Sequence, residues 1–148
     1  MALIENKKAR LRYTVLETFQ AGLTLSGSEV KALRAKQGKL DGSRVIVRGG
    51  EAFIVGMHIP PYQPSNTSTD YDPERTRKLL LTKQEIIELA AAEERKGLTI
   101  VPLEVYTAGR YIKARIAIVR GKGKADKRED LKLKDAKREM DRALKRRT

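Results

Sequence analysis

The sequence predicts a mainly β protein: a small antiparallel barrel, closed or partly open, of about six strands, with two or three helices and a basic C-terminal tail. Three observations carry this. Short β-rich apolar runs, several of them alternating, recur through the first 119 residues between glycine- or proline-containing turns. Helical spacing behind a start signal occurs in only two stretches of that region, residues 29–35 and 83–96. Residues 120–148 then change character, with 13 Lys/Arg and 6 Asp/Glu.

The elements follow in order. Glu5 to Arg12 reads as a basic N-terminal arm. Tyr13 to Ala21 is a strand, with Tyr13, Val15 and Phe19 on one face, Glu17 interrupting it and Gly22 breaking it. Ser26 followed by Glu29 has capping-box spacing, so Glu29 to Ala35 is a short helix that Gln37-Gly38 ends. On it, Lys31 and Arg34 share a face toward solvent. Ser43–Arg48 and Ala52–Met57 pair around Gly49-Gly50, because tight hairpin turns require positive φ. Four prolines within residues 60–73 make that stretch a surface loop.

Arg75, Arg77 and Lys78 precede Leu79-Leu80-Leu81, a short strand expected to be buried on both faces. Thr82 and Glu85 form a second capping box, opening a helix over residues 83–96 with a stripe of Ile86, Ile87, Leu89 and Ala90. Lys96-Gly97 stops it. Leu98–Tyr106 and Arg110–Val119 are two strands joined through Ala108-Gly109. On the second, Ile112, Ala114, Ile116 and Ile118 face one way, and Tyr111, Lys113 and Arg115 the other. Six such strands close most economically into a small barrel, which removes exposed edges, and a partly open barrel of the OB type is a frequent nucleic-acid platform. The organisation expected is a barrel over residues 1–119 and a tail over 120–148.

The net charge of +13 favours a polyanionic partner. The tail carries +7 of it. Its Leu133, Ala136, Met140, Ala143 and Leu144 form a narrow stripe at helical spacing, and Asp130/Lys134 and Asp141/Lys145 are acid-before-base pairs. A stripe this narrow predicts a tail disordered when free and helical along a polyanion.

The residue inventory argues against an enzyme. His58 is the single histidine and there is no cysteine. There is no spaced metal-ligand set, no nucleophile elbow and no phosphate-binding loop, so neither metal nor cofactor is expected. Asp70 and Asp72 read as an acidic turn near Arg75 and Arg77. No apolar run approaches the ~20 residues that span a bilayer, and the start lacks a signal-peptide core. A cytoplasmic monomer is expected.

Several ordered blocks together are similar to the SmpB family, the bacterial partner of transfer-messenger RNA in rescue of stalled ribosomes. They are Asn6-Lys-Lys-Ala-Arg10, Glu17-Thr-Phe-Gln-Ala-Gly22, Glu29-Val-Lys-Ala-Leu-Arg34, Asp72-Pro73 with Arg75-Thr-Arg-Lys-Leu-Leu-Leu81, Lys96-Gly-Leu-Thr99, and Arg120-Gly-Lys122 followed by Asp126-Lys-Arg-Glu129. The resemblance implies an OB-like barrel that binds the tRNA-like domain of the RNA at its elbow. It also implies a tail that folds as a helix in the empty mRNA channel of the small ribosomal subunit, against its RNA. Elongation factor Tu would be an indirect partner, and no bond change would be catalysed.

The family's RNA-contacting positions fall on Gln20, Leu80 and Lys113, with Gln20 standing where Glu is usual. Gly22, Lys31, Arg34, Arg75, Arg77 and Lys78 complete the expected RNA-binding set. Tyr13, Asp126, Lys127, Arg128, Lys134, Lys137 and Arg138 are expected at the decoding centre and mRNA channel. Leu11 and Ala125 occupy positions that are often aromatic or His in the family, which leaves Tyr13 as the aromatic there. The alternatives from other classes are a general single-strand-binding OB protein and a structural ribosomal protein.

Overall fold

The computed structural model describes residues 2–63 and 70–122. In chain order its elements are β1 (Ala2–Glu5), α1 (Lys7–Arg12), β2 (Tyr13–Leu23), α2 (Gly27–Arg34), β3 (Arg44–Arg48), β4 (Glu51–Val55), β5 (Arg77–Leu80), α3 (Lys83–Glu94), β6 (Leu98–Ala108) and β7 (Tyr111–Gly121). The strands form one antiparallel sheet in the order β1-β6-β7-β2-β5-β4-β3. It has two ends, so hydrogen bonds do not close it. It nevertheless curls until Cα atoms of β3 come within 8 Å of β6 with no ladder between them. The mainly β expectation therefore holds in its partly open form, with seven strands where about six were expected.

Helix α3 fills the gap between β3 and β6. It packs on both strands, and its Glu93 carboxylate accepts the Val47 backbone N–H at 2.5 Å and Arg48 Nη1 at 3.0 Å. An edge strand with free N–H groups is a template for unwanted pairing, and a covering helix removes it.

The N-terminal arm is more ordered than its charge implied. Ala2–Glu5 adds a strand to β6, and α1 follows with Asn6 as N-cap. The Asn6 side chain accepts from Ala9 N at 3.2 Å and donates to the Pro102 carbonyl at 2.9 Å, tying the helix start to β6. Helix α1 then lies over the outer face of the sheet, where Ala9, Val101, Leu103, Ala117 and Val119 form a second small core with Tyr13 packed against it. The outer face of β7 is thus polar only at its first half. Beyond Arg115 it is covered.

Strand β2 departs from simple alternation. Val15 pairs with Val119 but Glu17 pairs with Ile118, so a bulge at Leu16 reverses which face each later residue takes. Tyr13 and Val15 lie on the outer side and Phe19 and Ala21 on the inner side, contrary to the single face expected. Gly22 does not break the strand; it pairs on both sides. Strand β5 is also one-sided: Leu79 is buried while Leu80 is 55% exposed. In α3 the buried positions are Leu89 and Ala92, and Ile87 points out. Strand β7 runs to Gly121, two residues past the expected end at Val119.

The local start and turn signals are realised. Both capping boxes form, at Ser26/Glu29 and Thr82/Glu85. The β3–β4 turn has Gly49 at φ 60° and Gly50 at φ 74°. Gly50→Val places a β-branched residue in the left-handed region, with an expected loss of about 1–2 kcal/mol. A Cβ there would meet no heavy atom within 4 Å, so the loss is backbone strain alone. Thermal melting of the variant checks this, and an unchanged midpoint would contradict the turn assignment.

Candidate nucleic-acid interface

The upper end of β2 brings three distant segments into one row. Gly22 pairs with Leu80 on β5 and with Lys113 on β7. Residues directly opposite in an antiparallel sheet share a face, so Leu80 and Lys113 flank a position with no side chain. A Cβ on Gly22 would stand 3.2 Å from Leu80 Cβ, so glycine lets Leu80 lie across the row. The result is an open cleft of about 420 Å³, lined by Gly22, Leu23, Leu25, Val30, Leu80, Arg110, Tyr111, Ile112 and Lys113. Tyr111 is 72% exposed. An apolar floor with a lysine and an exposed ring at its rim suits a nucleic-acid backbone crossing beside unpaired or splayed bases.

The neighbouring cations are placed by the same elements. Gln20 is exposed, lies on the outer face two residues before Gly22, and pairs with Arg115. Arg115 itself is held by Glu104 at 2.6 Å, with its guanidinium 5.5 Å from the Tyr106 ring centroid. Helix α2 exposes Lys31 and Arg34, and Arg34 Nη2 donates to the Arg110 carbonyl at 3.3 Å. That bond brings α2 to the β6–β7 turn, beside the cleft. Lys113 has no ion-pair partner among the described residues.

The cations before Leu79 divide three ways. Lys78 is exposed and paired with Glu51 at 2.9 Å. Arg77 is fully buried, which removes it from any direct RNA contact. Its Nε reaches Glu29 Oε2 at 2.8 Å, and its Nη atoms donate to the carbonyls of Met57 at 2.5 Å and Pro73 at 2.9 Å. Arg75 keeps an exposed edge but holds the same carboxylate through Nε at 3.1 Å and through Nη2. Both arginines therefore serve the interior, not a solvated row. Asp72 does not pair with either of them through its side chain; its carboxylate accepts Glu74 N at 2.9 Å.

Glu29 is the centre that composition could not indicate. It caps α2 by accepting Ser26 N at 2.9 Å, binds both arginines, and lies 3.4 Å from the Tyr71 hydroxyl, which donates to the Ile59 carbonyl at 2.7 Å. Burial pushes its carboxyl up, but hydrogen bonds from Arg75, Ser26 and Arg77 and the charge of Arg77 outweigh that, lowering it from 4.5 to about 2. One carboxylate so joins α2, β5 and the loop after β4, which sets the spacing between the Lys31/Arg34 face and Leu80.

The other expected site lies at the opposite end of β2. Tyr13 is half-buried under α1, about 30 Å along the strand from Gly22. Lys122 N donates to the Arg12 carbonyl at 2.9 Å, so the chain leaves the barrel beside Tyr13. Asp126, Lys127, Arg128, Lys134, Lys137 and Arg138 lie outside the described residues. Leu11 is 64% exposed on α1. His58 stands 3.8 Å from Glu74, and among the described residues no three His, Cys, Asp or Glu side chains cluster as metal ligands.

Sequence reasoning missed Arg110, Leu25 and Val30 in the cleft. It named Tyr111 as outward-facing but did not place it there. Residues 3–146 match the family model described as SmpB protein. An SsrA-binding protein of Microcystis aeruginosa is 48% identical over 97% of this chain and 94% of its own length. Another, of Thermosynechococcus vestitus, is 47% identical over 98% and 95%. A solved structure described as "tmRNA-SmpB: a journey to the center of the bacterial ribosome" superposes with a TM-score of 0.69 at 40% identity, covering 86% of this chain and 93% of that one. A full-length family match, relatives of nearly equal length and a shared fold leave one assignment: the chain belongs to the SmpB family.

Proposed function

We propose that this protein binds the tRNA-like domain of transfer-messenger RNA and brings it to stalled ribosomes for trans-translation. The observation that carries this is the Leu80–Gly22–Lys113 row. Leu80 and Lys113, two of the positions implied by the family resemblance, meet there across Gly22 in one open cleft, with Gln20, the third, and with Lys31 and Arg34 around it. The names of the relatives and of the solved structure support the RNA and the ribosome as partners. In this reading the described barrel grips the RNA while the tail, with Asp126, Lys127, Arg128, Lys134, Lys137 and Arg138, enters the mRNA channel of the small subunit beside Tyr13. The protein is a cytoplasmic monomer that acts by positioning and makes or breaks no bond. Elongation factor Tu is engaged only through the RNA.

The separation of the two ends supports a bridging role. A general single-strand binder would need a row of exposed aromatic platforms. The cleft offers one exposed ring, Tyr111.

Lys113→Ala tests the cleft. With no ion pair to lose, the variant should fold normally and bind the tRNA-like RNA more weakly. The slope of log affinity against log salt should fall by about one unit, the share of one phosphate contact. A gel shift against a size-matched unstructured RNA supplies the comparison. Equal affinity and slope in variant and wild type would exclude Lys113 from the interface.

A further inference from the structure

Four of the six residues of α1 are Lys or Arg, and none is acidic. Two of them, Lys8 and Arg12, line a recess of about 270 Å³ between the helix, the turn before β3 and the start of β6. Arg44, the first residue of β3, adds a third cation from a different element. Ala9, Tyr13 and Val101 supply apolar wall. Like charges converge only at a cost, and one carboxylate answers them here: Asp41, 3.7 Å from Lys8 Nζ. Arg12 and Arg44 have no ion-pair partner among the described residues.

Buried polar bonds fix the frame that carries these cations. The Leu40 carbonyl accepts from Ser43 N at 3.0 Å, from the Ser43 hydroxyl, and from Asn6 Nδ2 at 3.4 Å. Asn6 Nδ2 also donates to the Pro102 carbonyl at 2.9 Å. Asn6 and Ser43 are both buried. At the other end of the helix, Lys122 N donates to the Arg12 carbonyl at 2.9 Å. Helix, turn and β6 are therefore tied together before any ligand arrives, which lowers the ordering cost of binding.

We infer that this recess is a second phosphate site, which takes a backbone phosphate of the small ribosomal subunit's RNA while the Leu80–Gly22–Lys113 cleft holds the transfer-messenger RNA. The inference rests on the function proposed above and adds a site in the barrel itself, built without the tail. Two guanidinium groups match phosphate oxygens by charge and by their planar fork of donors. A recess with low-dielectric walls and one sign of charge concentrates the field that attracts an anion. The recess adjoins Tyr13, about 30 Å along β2 from Gly22, so both sites can be filled at once by different RNAs.

Arg12→Ala with Arg44→Ala in the full-length protein tests this. Both side chains are exposed, so the variant should fold and bind the tRNA-like RNA as the wild type does. Its affinity for isolated small ribosomal subunits, measured by sedimentation, should fall about tenfold, and the salt slope of that affinity by about one unit. Lys83→Ala with Arg95→Ala removes the same charge from α3 and should leave subunit affinity within about twofold of wild type. Asp41→Asn should act in the opposite direction. It removes the one carboxylate that competes for Lys8, so subunit binding should tighten about threefold, a gain that a purely structural role would not produce. Unchanged subunit affinity in the Arg12/Arg44 variant overturns the proposal, as does an equal loss in the two double variants, which would reduce the effect to diffuse charge. A parallel loss of affinity for the tRNA-like RNA, or weaker subunit binding by Asp41→Asn, overturns it as well. Failure of the wild type to prefer the tRNA-like RNA over an unstructured one would fall on the proposed function instead, because the subunit measurement is made without that RNA.

Discussion

Glu29→Ala should destabilise the protein by about 3–5 kcal/mol, a large part of the 5–15 kcal/mol that holds a domain of this size together. The loss does not come from an attractive pair simply disappearing. Arg77 is fully buried, and without Glu29 its guanidinium keeps its carbonyl partners but has no counter-charge in a region that water cannot reach. Arg75 and the cap of α2 lose their acceptor at the same time. Urea unfolding measures the effect. The double variant Glu29→Leu with Arg77→Met should recover much of the loss, because it removes both charges together. If Glu29→Ala unfolds within 1 kcal/mol of wild type, the carboxylate is not the organising centre described above.

The same group predicts an acid transition. Its folded-state pKa is depressed, from 4.5 to about 2, so its contribution is complete above about pH 4.5 and is lost as pH falls toward 2. The difference amounts to on the order of 3 kcal/mol. Stability measured between pH 5 and 2 should fall steeply in the wild type and less steeply in Glu29→Gln. Parallel slopes would contradict the assignment.

Removing residues 123–148 should abolish ribosome rescue while leaving specific RNA binding largely intact. The cut belongs after Lys122 because β7 pairs with β2 through Gly121 and Lys122 still bonds to α1. A cut at residue 120 would remove part of that strand. The cleft lies at the far end of β2, and both hydrophobic clusters are built from residues before position 120. Specific affinity should therefore survive, with weaker nonspecific binding at low salt from the lost charge. Met140→Pro in the full chain separates charge from conformation. It keeps every cation and costs a helix about 3 kcal/mol. Peptide tagging on stalled ribosomes should fall while RNA affinity stays constant. Wild-type tagging by this variant would show that the tail works as diffuse charge and not as a helix in the channel.

What the sequence alone determined was what neighbouring residues decide among themselves. A serine or threonine three residues before a glutamate caps a helix wherever that helix lies, so Ser26/Glu29 and Thr82/Glu85 were legible. Two adjacent glycines permit a positive-φ turn irrespective of the sheet around them, so the β3–β4 hairpin was legible too. The alternation of Ile112, Ala114, Ile116 and Ile118 announced the inner face of β7. Family motifs named Gln20, Leu80 and Lys113 without saying why they belong together.

The tertiary structure decided whatever depends on a partner far along the chain. Arg77 reads as a solvated cation because its counter-ion, Glu29, lies on a different element, and nothing in the local sequence pairs them. The Leu16 bulge is invisible until β2 is laid against β7, yet it determines which face every later residue of β2 takes. Leu80 reads as core in a run of three leucines, and only pairing with Gly22 turns it outward over the cleft. The physical reason is common to all three. Capping and turn energies are set within a few residues, whereas strand register and the burial of a charge are set by contacts that exist only once the whole sheet has formed.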